Sequence, residues 1–275
     1  MTGRLLLCLG LALAVLCSCA PAAPAPEPQP ETAQPSARAL ARAEMLKKSE
    51  RELLDDLAFG RVKESKPVDA AWFDDAVFIG DSVSVMLEYY NNACHPLGEA
   101  AFLCVESLNP RNAMNAEPGS PRLPEWPKGS GERPALPDSV ADSGRGKVYL
   151  MLGINSISGG VDKATADLVQ LVALIQKAAP DTVILIQSVT PMMKDSPRTD
   201  EALNNDTIRA YDLALADICR EKGWYYIDIS QALADEEGFL RTDYSGDKAM
   251  GIHLNFKGTE AWADYLLTHV PADLK

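Results

Sequence analysis

Short apolar runs alternate with helical segments between residues 67 and 275, and this alternation limits the fold more than any other feature. Amphipathic patterns at Val83–Tyr90, Lys163–Ala178 and Glu201–Lys222 separate runs of strand length. We therefore predict one α/β domain over residues 67–275, a three-layer α/β/α sandwich with a mainly parallel five-stranded sheet and helices on both faces. The predicted strands are Ala76–Ile79, Ala101–Val105, Val148–Leu152, Thr182–Ser188 and Trp224–Ile229.

A serine follows the first run at a predicted strand-to-helix turn. The tetrad Ile79-Gly80-Asp81-Ser82 comes directly after Ala76-Val77-Phe78 and opens an amphipathic segment. Open α/β folds bind ligands at the carboxyl ends of their strands, and a helix N-terminus favours developing negative charge. Ser82 is therefore the candidate nucleophile. A plain helix cap is the commoner use of such a tetrad, and the tetrad alone does not decide between the two.

Two later segments carry residues that could complete a hydrolytic site. Gly153-Ile154-Asn155 ends the third apolar run, and Gly251-Ile252-His253-Leu254-Asn255 precedes the last amphipathic helix. Each has a simpler interpretation, as a turn asparagine and a packed loop histidine. The order of serine, Gly-x-Asn and C-terminal histidine resembles that of the SGNH, or GDSL, hydrolase family of serine esterases. The resemblance runs from about Asp75 to His269.

The resemblance implies a role for each of these residues. Ser82 would attack an acyl carbonyl, and His253 would accept the proton of its hydroxyl. Asn155 would help to bind the oxyanion, together with the Ser82 backbone N–H. Gly153 and Asp81 belong to the same motifs, and we assign both to the oxyanion and substrate-binding region.

The block after the second predicted strand departs from the family pattern. The family has an oxyanion glycine there, but Cys104-Val105-Glu106-Ser107-Leu108-Asn109 contains none. We expect the Ser107 backbone N–H to take its place, because the donor is a main-chain group. Glu106 would be unfavourable beside an oxyanion unless its side chain points away.

A second departure lies just before His253. Met250 stands where most members of the family have the triad aspartate. Asp247, in a Gly-containing loop, is the first candidate to orient the histidine, and Asp243 is the second. A Ser-His dyad without a carboxylate is the alternative.

The N-terminal region predicts export and lipid anchoring. Arg4, an apolar stretch and Leu16-Cys17-Ser18-Cys19 are typical of a lipoprotein signal over residues 1–18, with Cys19 as the lipidated residue. Residues 19–35 are rich in Pro and Ala and predict a tether, while residues 36–66 have helical composition and predict a stalk or a helix packed on the domain. We expect a cell-membrane anchor on the extracytoplasmic face. Asn204-Asn205-Asp206 and Met250-Gly251-Ile252-His253 also resemble segments of a bacterial surface lipoprotein branch of the family.

Composition restricts partners and cofactors. The chain has 39 Asp and Glu against 26 Lys and Arg, a net charge of −13, which disfavours nucleic acid as a partner. It has 3 histidines and no Cys-x-x-Cys motif, so we expect no metal and no cofactor. Cys94 and Cys104 could pair in an oxidising compartment, with Cys219 as a buried thiol, or all three could be small core residues.

Two further segments could border the site. Residues 107–146 form a long connection rich in Pro and Gly, from which Trp126 and Arg122 could cover the site, unless the segment is a surface insertion. Met192 and Met193 follow the fourth predicted strand and could line an acyl pocket or pack in the core.

These features together predict a lipid-anchored, extracytoplasmic serine esterase. It would remove short acyl groups, with acetyl as the expected group, from carbohydrate or envelope glycans through a Ser82 acyl-enzyme. Its partners would be a glycan or small-molecule ester and, through Cys19, the membrane. Two alternatives stay open. A non-catalytic surface glycan-binding protein could keep the same scaffold, since fold does not fix function, and an O-acyltransferase could use the same residues.

Overall fold

A sheet of five parallel strands forms the centre of the domain in the computed structural model, which describes residues 61–274. The order across the sheet is β2-β1-β3-β4-β5, with every neighbouring pair parallel. The predicted strands are confirmed, with small shifts at their ends. They are β1 (Ala76–Gly80), β2 (Ala101–Cys104), β3 (Lys147–Met151), β4 (Val183–Gln187) and β5 (Tyr225–Ile227).

Helices connect and flank these strands. The three predicted helices are present as α1, α4 and α5, whereas α2 and α3 lie in the long connection before β3 and were not predicted. Both begin with proline in their first turn, where a missing N–H costs nothing, so prolines that suggested loop in fact start helices. The helices are α1 (Ser82–Cys94), α2 (Pro110–Asn115), α3 (Leu136–Ser143), α4 (Val161–Ala178), α5 (Asn205–Lys222), α6 (Ser230–Leu233) and α7 (Phe256–Thr268).

Alternate residues of each strand enter two separate cores. In β1, Val77 and Ile79 pack with α2, α3, α4 and α5, while Phe78 faces α1, α6 and α7. This burial on both faces explains why the strands are continuous apolar runs instead of alternating patterns. The three-layer α/β/α prediction is thereby confirmed.

The strand order determines where a ligand site can form. The chain leaves β1 toward α1 on one face of the sheet, and it leaves β3 toward α4 on the other face. The two connections diverge at the carboxyl ends of neighbouring strands and leave a crevice between them. Ser82 follows β1, and Asn155 follows β3. The fold therefore carries both residues to this crevice.

The predicted helical segment 36–66 is described only over residues 61–66, which form no helix. Arg61 pairs in parallel with Tyr226 on β5, and the Val62 N–H donates to the Tyr226 carbonyl at 2.8 Å. The helical prediction is wrong for these six residues, because the edge strand offers backbone partners that local composition does not reveal. The signal segment 1–18, Cys19, the tether 19–35 and residues 36–60 lie outside the described residues. Within 61–274, no helix has both the length and the apolar character needed to cross a membrane.

The proposed pairing of Cys94 with Cys104 is wrong in this structure, in which both thiols are free. Cys94 is the exposed last residue of α1, and Cys104 is buried at the carboxyl end of β2. Helix α1 starts at the carboxyl edge of the sheet and runs back for 13 residues, or about 20 Å. The two thiols therefore lie toward opposite edges of the sheet. Cys219, on α5, is a buried thiol in the core.

Candidate active site

The turn between β1 and α1 gives each residue of its Gly-Asp-Ser sequence a separate task. A Cβ on Gly80 would lie 1.9 Å from Ser84 Oγ, so only glycine fits at this close approach. Asp81 is the N-cap of α1, and its Oδ1 accepts the Val83 N–H at 3.0 Å. Ser82 is the first helical residue. The capping function thus belongs to Asp81, which leaves the Ser82 hydroxyl available for other contacts.

Ser82, His253 and Asp247 form a continuous chain of hydrogen bonds. His253 Nδ1 lies 2.7 Å from Asp247 Oδ2, and His253 Nε2 lies 3.0 Å from Ser82 Oγ. An ionised carboxylate can only accept, so the proton of the neutral imidazole belongs on Nδ1. Nε2 is then free to accept the hydrogen of the serine hydroxyl. This is the arrangement that a general base needs.

A narrow loop places Asp247 beside His253. Ser245 and Leu254 pair as an isolated antiparallel bridge, and the Gly246 N–H donates to the His253 carbonyl at 2.9 Å. A Cβ on Gly246 would lie 2.6 Å from the Leu254 carbonyl oxygen, so this close pairing requires glycine. The five residues between Asp247 and His253 therefore fold back, which brings the two side chains together.

Asp247 divides its two oxygens between the loop and the histidine. Its Oδ1 accepts the backbone N–H groups of Ala249 at 3.1 Å and Met250 at 3.0 Å, which leaves Oδ2 to His253. The Met250 side chain packs against the core. Asp247 thus occupies the place beside His253 that the family pattern gives to an aspartate at position 250.

The second carboxylate candidate, Asp243, is bound elsewhere. Its carboxylate accepts from Arg241 Nε at 3.2 Å and from Lys257 Nζ at 2.6 Å on the exposed side of the loop. Both cations hold the pKa of Asp243 well below its usual value, with the Arg241 hydrogen bond as the largest cause. Of the two candidates, the structure brings only Asp247 to His253.

The two acidic groups near Ser82 are shifted in opposite directions. The hydrogen bond from His253 lowers the pKa of Asp247, so this carboxylate is ionised at neutral pH. Burial raises the pKa of Asp81 to about 6, and the Val83 N–H, the charge of His253 and the Asn155 amide partly offset that effect. Asp81 is only 1% exposed. Its charged form therefore depends on the hydrogen bonds that it accepts.

Asp81 also links the first motif to the second. Asn155 Nδ2 donates to Asp81 Oδ2 at 3.0 Å and, over a longer 3.4 Å, to the Leu108 carbonyl. The carboxylate thus accepts one hydrogen bond through each oxygen, from Val83 and from Asn155. The contact fixes the side-chain amide of Asn155 in the crevice, and sequence reasoning missed it.

Ser107 has the backbone conformation of the glycine that it replaces. Its φ is +59°, in the left-handed region that few residues other than glycine adopt. Asn112 Nδ2 donates to the Ser107 carbonyl at 3.0 Å and holds this turn in place. Leu108, the next residue, supplies the carbonyl that Asn155 contacts. Ser107 is therefore next to the crevice in a conformation that presents its main chain.

Gly153, which the sequence assigns to the oxyanion and substrate-binding region, has a packing function in the structure. A Cβ at this position would lie 2.4 Å from Val189 Cγ2 and 2.6 Å from Tyr211 Cε1. Its carbonyl accepts the N–H groups of Ser156 and Ile157, which closes the turn that carries Asn155. Gly153 is buried and does not line the cavity beside Ser82.

An open cavity of about 450 Å³ lies beside the hydroxyl of Ser82. Neither Trp126 nor Arg122 lines it, Met192 is buried in the core, and Met193 packs against the other core cluster. Sequence reasoning missed the wall of the cavity, although its residues on α1 repeat with helical spacing after Ser82. The lining consists of Ser82, Val85, Met86, Tyr89, Glu106, Gly246, Asp247, His253, Leu254, Asn255 and Phe256.

Within residues 61–274, no group of three or more histidine, cysteine or acidic side chains is arranged to hold a metal ion.

Comparison with known proteins identifies the family whose sequence model the chain matches and solved structures that share its fold. Residues 78–261 match the sequence model of the GDSL-like lipase/acylhydrolase family, and no curated protein sequence matches the chain. A GDSL-like lipase from Bacteroides thetaiotaomicron superposes with a TM-score of 0.53 at 11% identity, over 78% of this chain and 94% of that one. A Streptococcus pneumonia protein, provisionally described as a platelet activating factor, gives 0.53 at 18% identity, over 84% and 96%. An acetyl xylan esterase gives 0.50 at 14% identity, over 71% and 99%. At these identities the structural likeness establishes a shared fold.

Proposed function

This chain belongs to the GDSL-like lipase/acylhydrolase family of carboxylic ester hydrolases, and we propose that it is a serine esterase that removes short acyl groups from carbohydrate. The observation that carries the proposal is the chain of hydrogen bonds from Ser82 through His253 to Asp247, with distances of 3.0 and 2.7 Å. These three side chains supply the nucleophile, the base and the group that orients the base.

Acylation follows from this geometry. The Ser82 hydroxyl passes its proton to His253 Nε2 as Oγ attacks the ester carbonyl carbon, and the negative charge of Asp247 stabilises the imidazolium that forms. The tetrahedral intermediate then collapses, and His253 returns the proton to the departing alcohol oxygen. The product is an acyl group on Ser82 and a free sugar hydroxyl.

The oxyanion of that intermediate needs donors that are already in place. We assign this task to the backbone N–H groups of Ser82 and Ser107 and to the Asn155 amide. Asn155 has a hydrogen to offer, because its 3.4 Å contact with the Leu108 carbonyl is long and weak. The N-terminus of α1, where Ser82 lies, adds favourable potential for negative charge. Removal of one such donor typically costs about 10²–10³ in kcat.

Deacylation reverses the roles with water as the nucleophile. His253 accepts a proton from water, the resulting hydroxide attacks the acyl carbonyl, and the proton goes back to Ser82 Oγ as the acid leaves. The cavity beside Ser82 is open, so water can reach the acyl group.

The alternative of a non-catalytic binding protein rested on two missing family residues. Asp247 now stands beside His253, and Ser107 has the backbone conformation expected of glycine. Both observations favour an intact catalytic site over a degenerate one.

The short acyl group and the carbohydrate alcohol are the finer part of the proposal. The cavity wall places polar Glu106 and Asn255 among its apolar side chains, and this mixed wall is the argument for a short acyl group over a long alkyl chain. A protein of the same fold is an acetyl xylan esterase, which motivates acetylated polysaccharide as the first substrate to test.

Anchoring at the extracytoplasmic face of the cell membrane is also part of the proposal, and its support is the sequence around Cys19. Cys19→Ser should move the protein from the membrane fraction to the soluble fraction of a bacterial host. Retention in the membrane fraction would contradict lipid anchoring and leave the esterase proposal unaffected.

Acetate release is the direct test of the enzyme. The full chain should release acetate from acetylated xylan and from p-nitrophenyl acetate, and Ser82→Ala should abolish both reactions. Ser84→Ala is the matched control, because Ser84 lies two residues further along α1 and is buried. No serine-dependent release from short or medium acyl esters would contradict the proposal. Transfer of acetate to an added sugar in place of release would indicate the O-acyltransferase.

A further inference from the structure

Exposed aromatic rings are concentrated at the candidate active site. Within residues 61–274 the large hydrophobic side chains that are exposed are Tyr89 at 59%, Phe256 at 52% and Leu174 at 41%. Tyr89 and Phe256 both line the cavity that contains Ser82 and His253, whereas Leu174 lies on α4 outside it. A ring that faces water at the mouth of a catalytic cavity buries little apolar surface and so adds little to the stability of the fold. Its position there indicates a role in binding a ligand.

Tyr89 belongs to the same helical face as the nucleophile. Ser82, Val85, Met86 and Tyr89 have the spacing i, i+3, i+4 and i+7 on α1, and all four line the cavity. Two turns of helix separate the first from the last, a rise of about 10 Å. Tyr89 therefore lies about 10 Å from Ser82 along the helix axis, on the same wall of the cavity.

Phe256 borders the cavity next to the histidine loop. It is the first residue of α7, directly after the cap residue Asn255, whose side chain accepts the Gly258 N–H. Tyr90 supports it edge-on, with ring centroids 5.6 Å apart and an interplanar angle of 73°. Tyr90, on α1, is itself buried in the core that includes α7. The exposed ring is thus braced from behind, which limits the entropy lost when a ligand packs on it.

The charges around the cavity select the type of ligand. The described lining holds no lysine or arginine, and Glu106 adds an exposed carboxylate, so an anionic group would be repelled. The polar side chains of Glu106 and Asn255 in the same lining disfavour a long alkyl chain. A neutral pyranose suits both features, because its C–H face packs on an aromatic ring and its hydroxyl groups can donate to a carboxylate.

We propose that Tyr89 and Phe256, with Glu106, form a sugar-binding subsite that holds a pyranose ring of the ester substrate beside Ser82. This inference rests on the proposed function and names the part of the molecule that selects the alcohol. The acyl group lies at Ser82, and the rings contact the saccharide.

A comparison of two acetate esters distinguishes an effect on saccharide binding from an effect on the catalytic reaction. The kcat/KM of the full chain and of Tyr89→Ala and Phe256→Ala is measured on an acetylated xylo-oligosaccharide and on ethyl acetate, which has no ring to stack. Each alanine variant should lose roughly tenfold more kcat/KM on the saccharide than on ethyl acetate, the size of one aromatic contact. Tyr89→Phe and Phe256→Tyr should restore most of that loss. Leu174→Ala, which removes the exposed side chain outside the cavity, should change neither ester.

Equal losses on both esters would overturn the subsite, since the rings would then only support the catalytic loop. A selective loss on vinyl octanoate would assign the rings to the acyl chain, and a selective loss on acetylcholine would assign them to an ammonium group. Either outcome would refute the inference.

If the wild type hydrolysed neither ester, the proposed function would fail, and a binding measurement would then test the subsite. Titration of Ser82→Ala with unacetylated xylo-oligosaccharide should show heat of binding that Tyr89→Ala removes, and absence of such binding would refute the subsite.

Discussion

Replacement of Asp247 by asparagine tests how His253 is oriented. In the native loop Oδ1 of Asp247 accepts two backbone N–H groups, from Ala249 and Met250, and Oδ2 accepts from His253. The asparagine oxygen can keep both backbone contacts, so the loop should stay folded. Its NH₂ group must then face His253 Nδ1 at the 2.7 Å position. Two donors cannot share that contact, and the imidazole proton must move to Nε2.

The position of the His253 imidazole proton determines how far kcat falls. With hydrogen on Nε2, His253 would donate to Ser82 Oγ at 3.0 Å and could no longer accept the serine proton. In a serine protease triad the same change of tautomer lowers kcat by about 10⁴, equivalent to about 5.4 kcal/mol. We expect Asp247→Asn to lower kcat on p-nitrophenyl acetate by at least about a hundredfold, the lower end for a positioned acid-base partner.

Asp243→Asn is the matched control, because Asp243 is four residues away in the same loop and binds Arg241 and Lys257. It should leave kcat within about twofold, well below the range for a catalytic acid-base partner. Circular dichroism and gel filtration are used to check that both variants are folded. A decrease of less than about threefold in Asp247→Asn would refute the reasoning and leave His253 as the base of a Ser-His dyad.

Three other substitutions test separate parts of the account. Asp81→Asn should lower kcat by about a hundredfold, because Val83 and Asn155 donate to different oxygens of Asp81 and asparagine keeps an acceptor at only one of those two places. An unchanged kcat would contradict this link. Ser107→Gly should keep kcat within about threefold, since the donor is main chain, whereas a large loss would indicate a task for the hydroxyl. Asp212 lies on α5, where its Oδ1 accepts the Val189 N–H at 2.9 Å, and burial raises the pKa of its carboxyl group well above the usual 3.8. The stability that its neutral form contributes is therefore complete below pH 3.8 and is lost as pH rises through the raised pKa. Asp212→Asn should remove this pH-dependent loss. The free energy of unfolding in urea of the variant, relative to the wild type, should therefore increase from pH 4 to pH 8, and a difference that stays constant over this range would contradict the raised pKa.

Local patterns were sufficient to predict the sheet. The five strands are apolar on both faces, and each ends at a turn, so their positions could be predicted from the sequence. Helices α2 and α3 could not, because the prolines at their first turns are the same residues that mark loops. The pairing of Cys94 with Cys104 failed for a related reason. A short gap in sequence does not tell on which edge of a sheet a helix ends.

Site residues could be predicted from the sequence where a single segment contained the whole motif. Ser82 and His253 came from their own motifs, and Asp247 came from a loop short enough to fold back on itself. The bond between Asp81 and Asn155 joins loops 74 residues apart, and it exists only because β1 and β3 are neighbours. The left-handed backbone at Ser107 depends on Asn112, not on the serine itself. The packing of Gly153 against Val189 and Tyr211 likewise needed the assembled core.

Covalent labelling tests the central claim most directly. A fluorophosphonate reacts with a serine only when a base activates the hydroxyl and an oxyanion site receives the phosphoryl oxygen. The intact protein should gain one adduct mass, and peptide mapping should place the adduct on Ser82. Ser82→Ala and His253→Ala should not be labelled, whereas Ser84→Ala should be labelled as the wild type is. A folded wild-type protein that gains no adduct, or that carries it on another residue, would contradict the account.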